Sequence, residues 1–323
     1  MQNEYKIRDN YDCLLIRIIL MKTQLLKSLY QLFPFSLEGD AVINYEAELA
    51  ISCILPTYQR DTDLEILLRC LANQCLNKNE FEVIVVEDGM DEKTGQLIRL
   101  FAHQLNLVHL TNSVPLHNIA SLRNQGLKHS KGELILYLDD DTIIPQDYFL
   151  SRLVRLFEAD LSIGAVQIPG EASYSLWRIK YDYLDRYSFA SRCVAYRRSA
   201  LARIGGFFEQ LASYEDIELA IRFTIMDGRM TRAEDLFYLH PPLYFDSWKK
   251  PLCNGLSFLR LFRRYSKPVW FACYLNALRF LPCLLLPNAK YRQWGKISAG
   301  FVWAPISLVF QKMTHRDKKI IYR

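Results

Sequence analysis

Residues 134–141 read Leu134-Ile135-Leu136-Tyr137-Leu138-Asp139-Asp140-Asp141, five apolar side chains running straight into three carboxylates. A short apolar run closed by charge predicts a strand buried on both faces, with its polar end emerging at one edge of a sheet. The same order recurs twice upstream: Ile51–Leu55 leads into Pro56-Thr57-Tyr58-Gln59-Arg60, and Phe81–Val86 into Glu87-Asp88-Gly89. Leu107–Leu110 and Ile163–Ile168 are also strand-like. Between these runs the apolar period lengthens. Leu64, Leu67, Leu68 and Leu71 fall on one helical face, and Leu97–Leu105, Ile119–His129 and Phe149–Phe157 read the same way. Strands alternating with helices predict an α/β, Rossmann-like, mostly parallel sheet flanked by helices. Ligands of such sheets bind beyond the carboxyl ends of the strands, where this chain puts its acids and Arg60.

Composition narrows the reading. Of 323 residues, 50% are hydrophobic and 23% charged, too apolar for a disordered chain, and 13 Gly with 12 Pro exclude a collagen-like or low-complexity one. The eight cysteines form no CxxC and no metal-ligand rhythm, which predicts reduced, buried thiols in a cytosolic protein. The net charge of +5 hides a split: residues 1–248 carry −9 and residues 249–323 carry +14. A uniformly basic nucleic-acid binder does not look like this; an acidic body with a basic, aromatic, apolar tail resembles a soluble unit resting on an anionic membrane surface. Three stretches follow: an N-terminal extension over 1–48, the α/β domain over 49–248 and a basic helical region over 249–323. In the first, Leu14–Leu32 reads as an amphipathic helix or a loosely packed extension. Acids precede its apolar run and no small-residue cleavage site follows, so a secretory signal is not expected, and Met21 is an alternative start.

Three clusters carry chemistry. Asp139-Asp140-Asp141 repel one another and need a counter-charge, which a hard divalent cation such as Mg²⁺ or Mn²⁺ supplies together with the oxygens of a diphosphate; a solvated acidic turn is the plainer reading. Glu215-Asp216 precede an apolar helical run, as N-terminal acids of a helix or with Asp216 as a general base aimed into the cleft. Gly205-Gly206 upstream allow a sharp backbone approach. Arg123, in an acidic half, needs a partner: a diphosphate or a surface carboxylate.

Taken in order, six segments resemble glycosyltransferase family 2, the inverting nucleotide-sugar transferases of the GT-A fold. They are Ile54–Arg60, Val85–Gly89, Arg123–Leu127, Leu138–Asp141, Gly205–Phe207 and Glu215–Arg222. The resemblance implies that Pro56, Thr57, Tyr58 and Arg60 lie by the nucleoside, that Glu87 and Asp88 reach base and ribose, and that Arg123 and Asn124 help hold the diphosphate. Asp139 and Asp141 match the two acids of the DxD motif, Asp141 as the direct metal ligand, with Asp140 and Glu215 also on the donor side. Asp216 matches the catalytic base. His240, after the strand-like Leu236–Leu239, either approaches the metal or is an ordinary core histidine. The implied cofactor is Mg²⁺ or Mn²⁺ and the implied donor a nucleoside-diphosphate sugar of UDP type. The chain departs from the family at Glu87-Asp88-Gly89-Met90, where two aspartates and Gly-Ser are usual. No Gln-x-x-Arg-Trp follows Asp216, which favours addition of a single sugar over processive synthesis.

The tail completes the reading. Leu256–Lys267 sets Leu256, Leu259, Leu261 and Phe262 against Arg260, Arg263, Arg264 and Lys267, the layout of an interfacial helix. Pro268–Pro287 is apolar but contains Arg279 and Pro282, and Ile297–Phe310 is shorter than the ~20 residues needed to span. Basic residues flank both sides of a would-be hairpin, against the positive-inside preference. A monotopic or peripheral attachment on the cytoplasmic face is therefore expected, the alternative being a buried helical subdomain or dimer contact. Tyr174, Trp177, Tyr181, Tyr183 and Tyr187 read as an acceptor wall or as core. The expected activity is metal-dependent, inverting transfer of one sugar to a hydroxyl of a lipid-linked or cell-surface glycan. Its alternative is a non-catalytic nucleotide-sugar-binding scaffold. A sugar-phosphate nucleotidyltransferase would carry a Gly-rich loop after the first strand, and Pro56–Arg60 has no glycine.

Overall fold

The computed structural model describes residues 23–172, 180–181, 192–240, 247–287 and 289–313. Of these, the residues between 37 and 240 form one compact unit, and residues 23–36 join those between 247 and 313 in another.

The first unit is built on a seven-stranded sheet in the order β3-β2-β1-β4-β8-β5-β9. Its strands are β1 (Leu49–Thr57), β2 (Phe81–Glu87), β3 (Leu107–Thr111), β4 (Gly132–Leu138), β5 (Ile163–Gln167), β8 (Cys193–Arg197) and β9 (Arg229–Arg232). All are parallel except β8, which runs against both β4 and β5. The buried runs of the sequence become these strands because both sheet faces are covered. Cys53, Leu55, Val83 and Val85 pack towards α2 (Asp61–Ala72), α3 (Glu92–Phe101) and α5 (Phe149–Ala159). Ile54, Ile84 and Val86 point the other way, towards α4 (Ile119–His129), α6 (Arg198–Ile204) and α7 (Glu215–Ile225). This is the predicted mostly parallel α/β architecture, with one reversed strand the sequence did not announce. A small second sheet joins β6 (Gly170–Ala172), β7 (Lys180–Tyr181) and β10 (Tyr238–His240).

Two boundaries shift. Pro56 was expected to close the first strand, yet β1 continues to Thr57 and Pro56 stays in register with Val86. Residues 37–48 pack within the sheet unit through backbone bonds from Gly39 N to Ile204 O (2.7 Å) and from Ala41 N to Gly205 O (2.8 Å). Gly205 and Gly206 both take φ of +65°; a Cβ on Gly206 would also lie 2.6 Å from Asn124 Oδ1, so two glycines are required at this approach.

The other unit contains α1 (Thr23–Leu32), α8 (Lys249–Arg260), α9 (Lys267–Ala277) and α10 (Ala289–Met313). Phe35 stacks on Tyr265 with centroids 4.3 Å apart, and Trp270 on Tyr274 at 5.1 Å. The single interfacial helix expected over 256–267 is two helices. α8 ends in a 3₁₀ turn, Leu261–Arg263, and α9 starts after Ser266 with Pro268 in its first turn. Proline lacks the N–H that a continuing helix would need, and its fixed φ suits a helix start. The 14-residue run Ile297–Phe310 lies within the 25-residue α10. Among the described residues, one segment, Lys267–Leu285, is long and apolar enough to cross a membrane by length and composition. It is not one helix, since α9 stops at Ala277 and a 3₁₀ stretch covers Leu281–Leu285. Seven cysteines in the described chain are free; Cys75, expected buried, is exposed. Cys13, Met21, Tyr174, Trp177, Tyr183 and Tyr187 lie outside the described residues.

Candidate active site

Register places the motifs side by side. Thr57 and Glu87 are paired at the ends of β1 and β2, and β4 lies on the other flank of β1. At this β1/β4 junction the order of connection reverses, which opens a crevice. Thr57 Oγ1 crosses it to donate to Asp140 Oδ2 at 2.9 Å. The turn after β4 is fixed by Asp139 N donating to Arg192 O (3.0 Å) and Thr142 N to Asp139 O (3.0 Å). A reciprocal backbone pair between Ile143 and Leu239, 2.9 Å each way, then draws the end of β10 onto this turn. That is how His240, about 100 residues on in the chain, comes to sit with Nε2 2.9 Å from Asp141 Oδ1.

Asp139, Asp141 and His240 each offer one ligand atom, and these atoms lie within 4.8 Å of one another. Two carboxylate oxygens and an imidazole nitrogen fit Mn²⁺ well and Mg²⁺ through its oxygens. A divalent cation is not the only counter-charge for these acids, because the protein supplies cations of its own. Arg60 Nη2 lies 2.9 Å from Asp141 Oδ2 and Nη1 3.3 Å from Asp140 Oδ1. Arg123 Nη2 donates to Asp139 Oδ1 at 2.9 Å, and Arg192 Nε stands 3.9 Å from Asp139 Oδ2. Burial would raise the Asp141 carboxyl, but His240 and Arg60 outweigh it and hold it at about 2. For Asp140 burial wins, reinforced by the neighbouring Asp139 and Asp141 charges, and pushes its carboxyl up to about 7 despite Arg60 and Thr57.

That contrast gives a stability prediction. A carboxyl whose folded pKa is raised from about 3.9 in the unfolded chain costs folding free energy as it ionises. The cost grows as pH climbs from about 4 and levels off above about 7. Asp140→Asn never ionises and keeps an oxygen for Thr57, so its melting temperature relative to the natural chain should rise by a few degrees between pH 5 and pH 8, in chelator. A difference independent of pH, read by thermal denaturation at both values, contradicts the burial argument.

Arg123 connects the two halves of the site. It is 4% exposed, and its second nitrogen, Nη1, donates to Glu215 Oε1 at 2.8 Å. Burial acts to lower its pKa, but Asp139, Glu215 and Asp216 together raise it, so it stays a cation. Asp216 is half-buried in the first turn of α7, after Tyr214 at φ +74°, and its Oδ1 accepts from Ile217 N at 2.8 Å. Asp139–Asp141, Arg60, Arg123, Glu215 and His240 thus form one connected polar group, and Asp216 is near enough to raise the pKa of Arg123.

Four predicted residues are buried, three of them engaged by the protein's own groups. Asn124 is fully buried; it brackets Phe207 by donating to its carbonyl (2.9 Å) and accepting from its N–H (2.8 Å), and it also donates to Glu209 Oε1 (2.8 Å). It shapes the Gly205–Glu209 loop and does not line the crevice. Pro56 is buried inside β1. Glu87, 2% exposed, accepts from Asp91 N and pairs with His109 Nε2 at 2.8 Å. Asp88, also 2% exposed, accepts from Leu116 N at 2.6 Å and His117 N at 2.7 Å. It fixes His117 at φ +50°, with the ring edge-on to the exposed Tyr58 at 5.2 Å between centroids. His109, His117 and Arg192 were not anticipated. A shallow cavity of about 430 Å³ lined by Tyr45, Arg197, Arg203, Asp227 and Arg229 opens at the opposite ends of the strands and contains none of the motifs.

An open sheet of this order with a carboxylate cluster at its reversal point is the GT-A class of fold. It is shared with the mannosyltransferase PcManGT from Pyrobaculum calidifontis, solved in complex with GDP-Man and Mn²⁺. That likeness has 20% identity and a TM-score of 0.62, covering 88% of this chain and 93% of the other. Residues 52–209 match the Glycosyl transferase family 2 model, so this stretch of the chain is a family 2 glycosyltransferase domain. Chondroitin synthase of Escherichia coli is 30% identical over 135 residues, 42% of this chain and 19% of that protein. The poly(ribitol-phosphate) beta-N-acetylglucosaminyltransferase TarS of Staphylococcus aureus (strain Mu50 / ATCC 700699) is 33% identical over 122 residues, 38% of this chain. The chain spans about a fifth of the length of both relatives, 19% and 21%.

Proposed function

We propose that the protein is a metal-dependent, inverting glycosyltransferase that moves one sugar from a nucleoside-diphosphate sugar to a hydroxyl acceptor. The observation that carries this is the Arg123 guanidinium, which joins Asp139 to Glu215, so the acidic trio and the helix bearing Asp216 lie one side chain apart. Asp139, Asp141 and His240 would hold Mg²⁺ or Mn²⁺, which supplies positive charge against the departing diphosphate. Tyr58 and His117 would flank the nucleoside of a UDP-type donor, with Asp88 setting His117. Asp216 takes the proton of the acceptor hydroxyl as that oxygen bonds to the anomeric carbon; the bond to the diphosphate breaks on the opposite face, and configuration inverts.

PcManGT, with GDP-Man and Mn²⁺, lends support to the donor and the cation, and the names of the relatives to a glycan acceptor. Attachment to an anionic membrane surface on the cytoplasmic side is part of the proposal. Phe271 and Leu275 of α9, and Trp303, Ile306 and Phe310 of α10, are exposed one turn or so apart, and exposed Arg260, Arg263 and Lys267 are near in sequence.

The test is a panel of nucleotide sugars assayed for Mn²⁺- or Mg²⁺-dependent release of nucleoside diphosphate. Asp141→Ala should abolish cation-dependent donor binding by calorimetry; unaltered binding would remove the metal assignment. The arginine partners of the trio also suit a non-catalytic nucleotide-sugar-binding protein, which would bind a donor from the panel and release nothing.

A further inference from the structure

Arg60 has two sets of partners at once. Its Nη1 and Nη2 reach Asp140 and Asp141, while Nε and Nη2 also reach Asp63 Oδ2 at 3.1 and 2.9 Å. Asp63 lies in the first turn of α2, outside the acidic trio, and is 32% exposed. Arg60 itself is 42% exposed and follows Gln59 at φ +52°, at the mouth of the crevice. Asp141 is therefore claimed from two sides: His240 on Oδ1 and Arg60 on Oδ2. A divalent cation placed on Asp139, Asp141 and His240 would bring two further positive charges to a carboxylate that already carries a guanidinium. Like charges at such separations repel strongly even when partly screened.

We infer that Arg60 is a built-in competitor for the cation. It neutralises Asp140 and Asp141 while the site is empty of metal, and it must release Asp141 when a cation binds. This rests on the reading of the site as a cation and donor site. Asp63 keeps the released guanidinium at the mouth, where a diphosphate offers a bidentate partner. Cation and donor are thereby coupled: the cation frees the arginine and the donor occupies it, so neither binds as well alone as with the other. Arg60 is in this account a positioning residue whose departure makes room.

The experiment is Mn²⁺ binding to the full chain without nucleotide, followed by the electron paramagnetic resonance signal of free Mn²⁺. Arg60→Gln removes the competing charge and should bind Mn²⁺ about ten-fold tighter. Arg60→Lys keeps the charge and should stay within about two-fold of the natural chain. Adding Asp141→Asn to Arg60→Gln should erase the gain, which locates the ion on the trio. A merely structural role predicts the opposite sign, since a loosened loop binds a cation more weakly. Equal or weaker Mn²⁺ binding by Arg60→Gln, with measurable binding by the natural chain, overturns the competitor and leaves the proposed function standing. No Mn²⁺ binding by either folded protein overturns both.

Discussion

Asp216→Asn is expected to bind the nucleotide sugar as the natural chain does and to transfer sugar ~10²–10⁴-fold more slowly. The replacement has the same shape, and its amide oxygen can still accept from Ile217 N, so the first turn of α7 is kept. What disappears is the capacity to take a proton. The neighbouring acid is a poor substitute. Glu215 is 8% exposed and engaged by Arg123 at 2.8 Å, so protonating it would leave a buried guanidinium with less compensation. Donor affinity by calorimetry and turnover by nucleoside diphosphate release separate the two effects, because a general base acts on the transition state. Turnover within a few-fold of normal would remove Asp216 from the mechanism and turn attention to Glu215.

How much of this was legible in the sequence depends on the range of the interaction concerned. Buried strands and the acids at their ends are local patterns, and Leu134–Asp141 became β4 and its turn as read. The helix over Ile119–His129 was likewise visible, because apolar period and flanking residues agree. Strand order is different. β8 slots between β4 and β5 in reverse, and nothing within Cys193–Arg197 announces it; the pairing is decided by distant partners. That insertion also brings Arg192 beside Asp139, so a site residue was hidden for the same reason. Arg123 was noticed as a cation needing a partner, but a carboxylate 92 positions away answered before any diphosphate. Asn124 beside it turns to Phe207, because adjacent helical residues point some 100° apart. The break at Ser266 could have been found: a serine two residues before Pro268 is a helix-start signal lying inside the predicted interfacial helix.

Arg222→Met is expected to cost ~3–5 kcal/mol of folding stability. Arg222 and Glu218 are both fully buried and joined at 2.7 Å between Nη2 and Oε2, with Nε also donating to the carboxylate. Removing the arginine leaves Glu218 charged and without its buried counter-ion. The loss does not stop there, because Arg222 also donates to Leu37 O (3.1 Å), Ile204 O (2.6 Å) and Gly206 O (2.7 Å). One guanidinium thus ties α7 to Leu37, to the end of α6 and to the Gly205-Gly206 turn. Replacing both charges, as Glu218→Gln with Arg222→Met, should recover part of the stability by removing the orphaned carboxylate. It should fall short of full recovery because Leu37 O and Gly206 O lose the Arg222 donor, while Ile204 O keeps only Gly39 N. Arg222→Lys cannot serve all these acceptors, having three donors on one nitrogen in place of a planar fork. Since α7 carries Glu215 and Asp216 in its first turn, the double variant should also lose turnover more than donor affinity, a split that a purely global destabilisation would not produce. Urea unfolding gives the first quantity and paired kinetics and calorimetry the second. An Arg222→Met chain within about 1 kcal/mol of the natural one would mean that water enters to solvate Glu218, and that the buried pair does not hold the helix that carries Asp216.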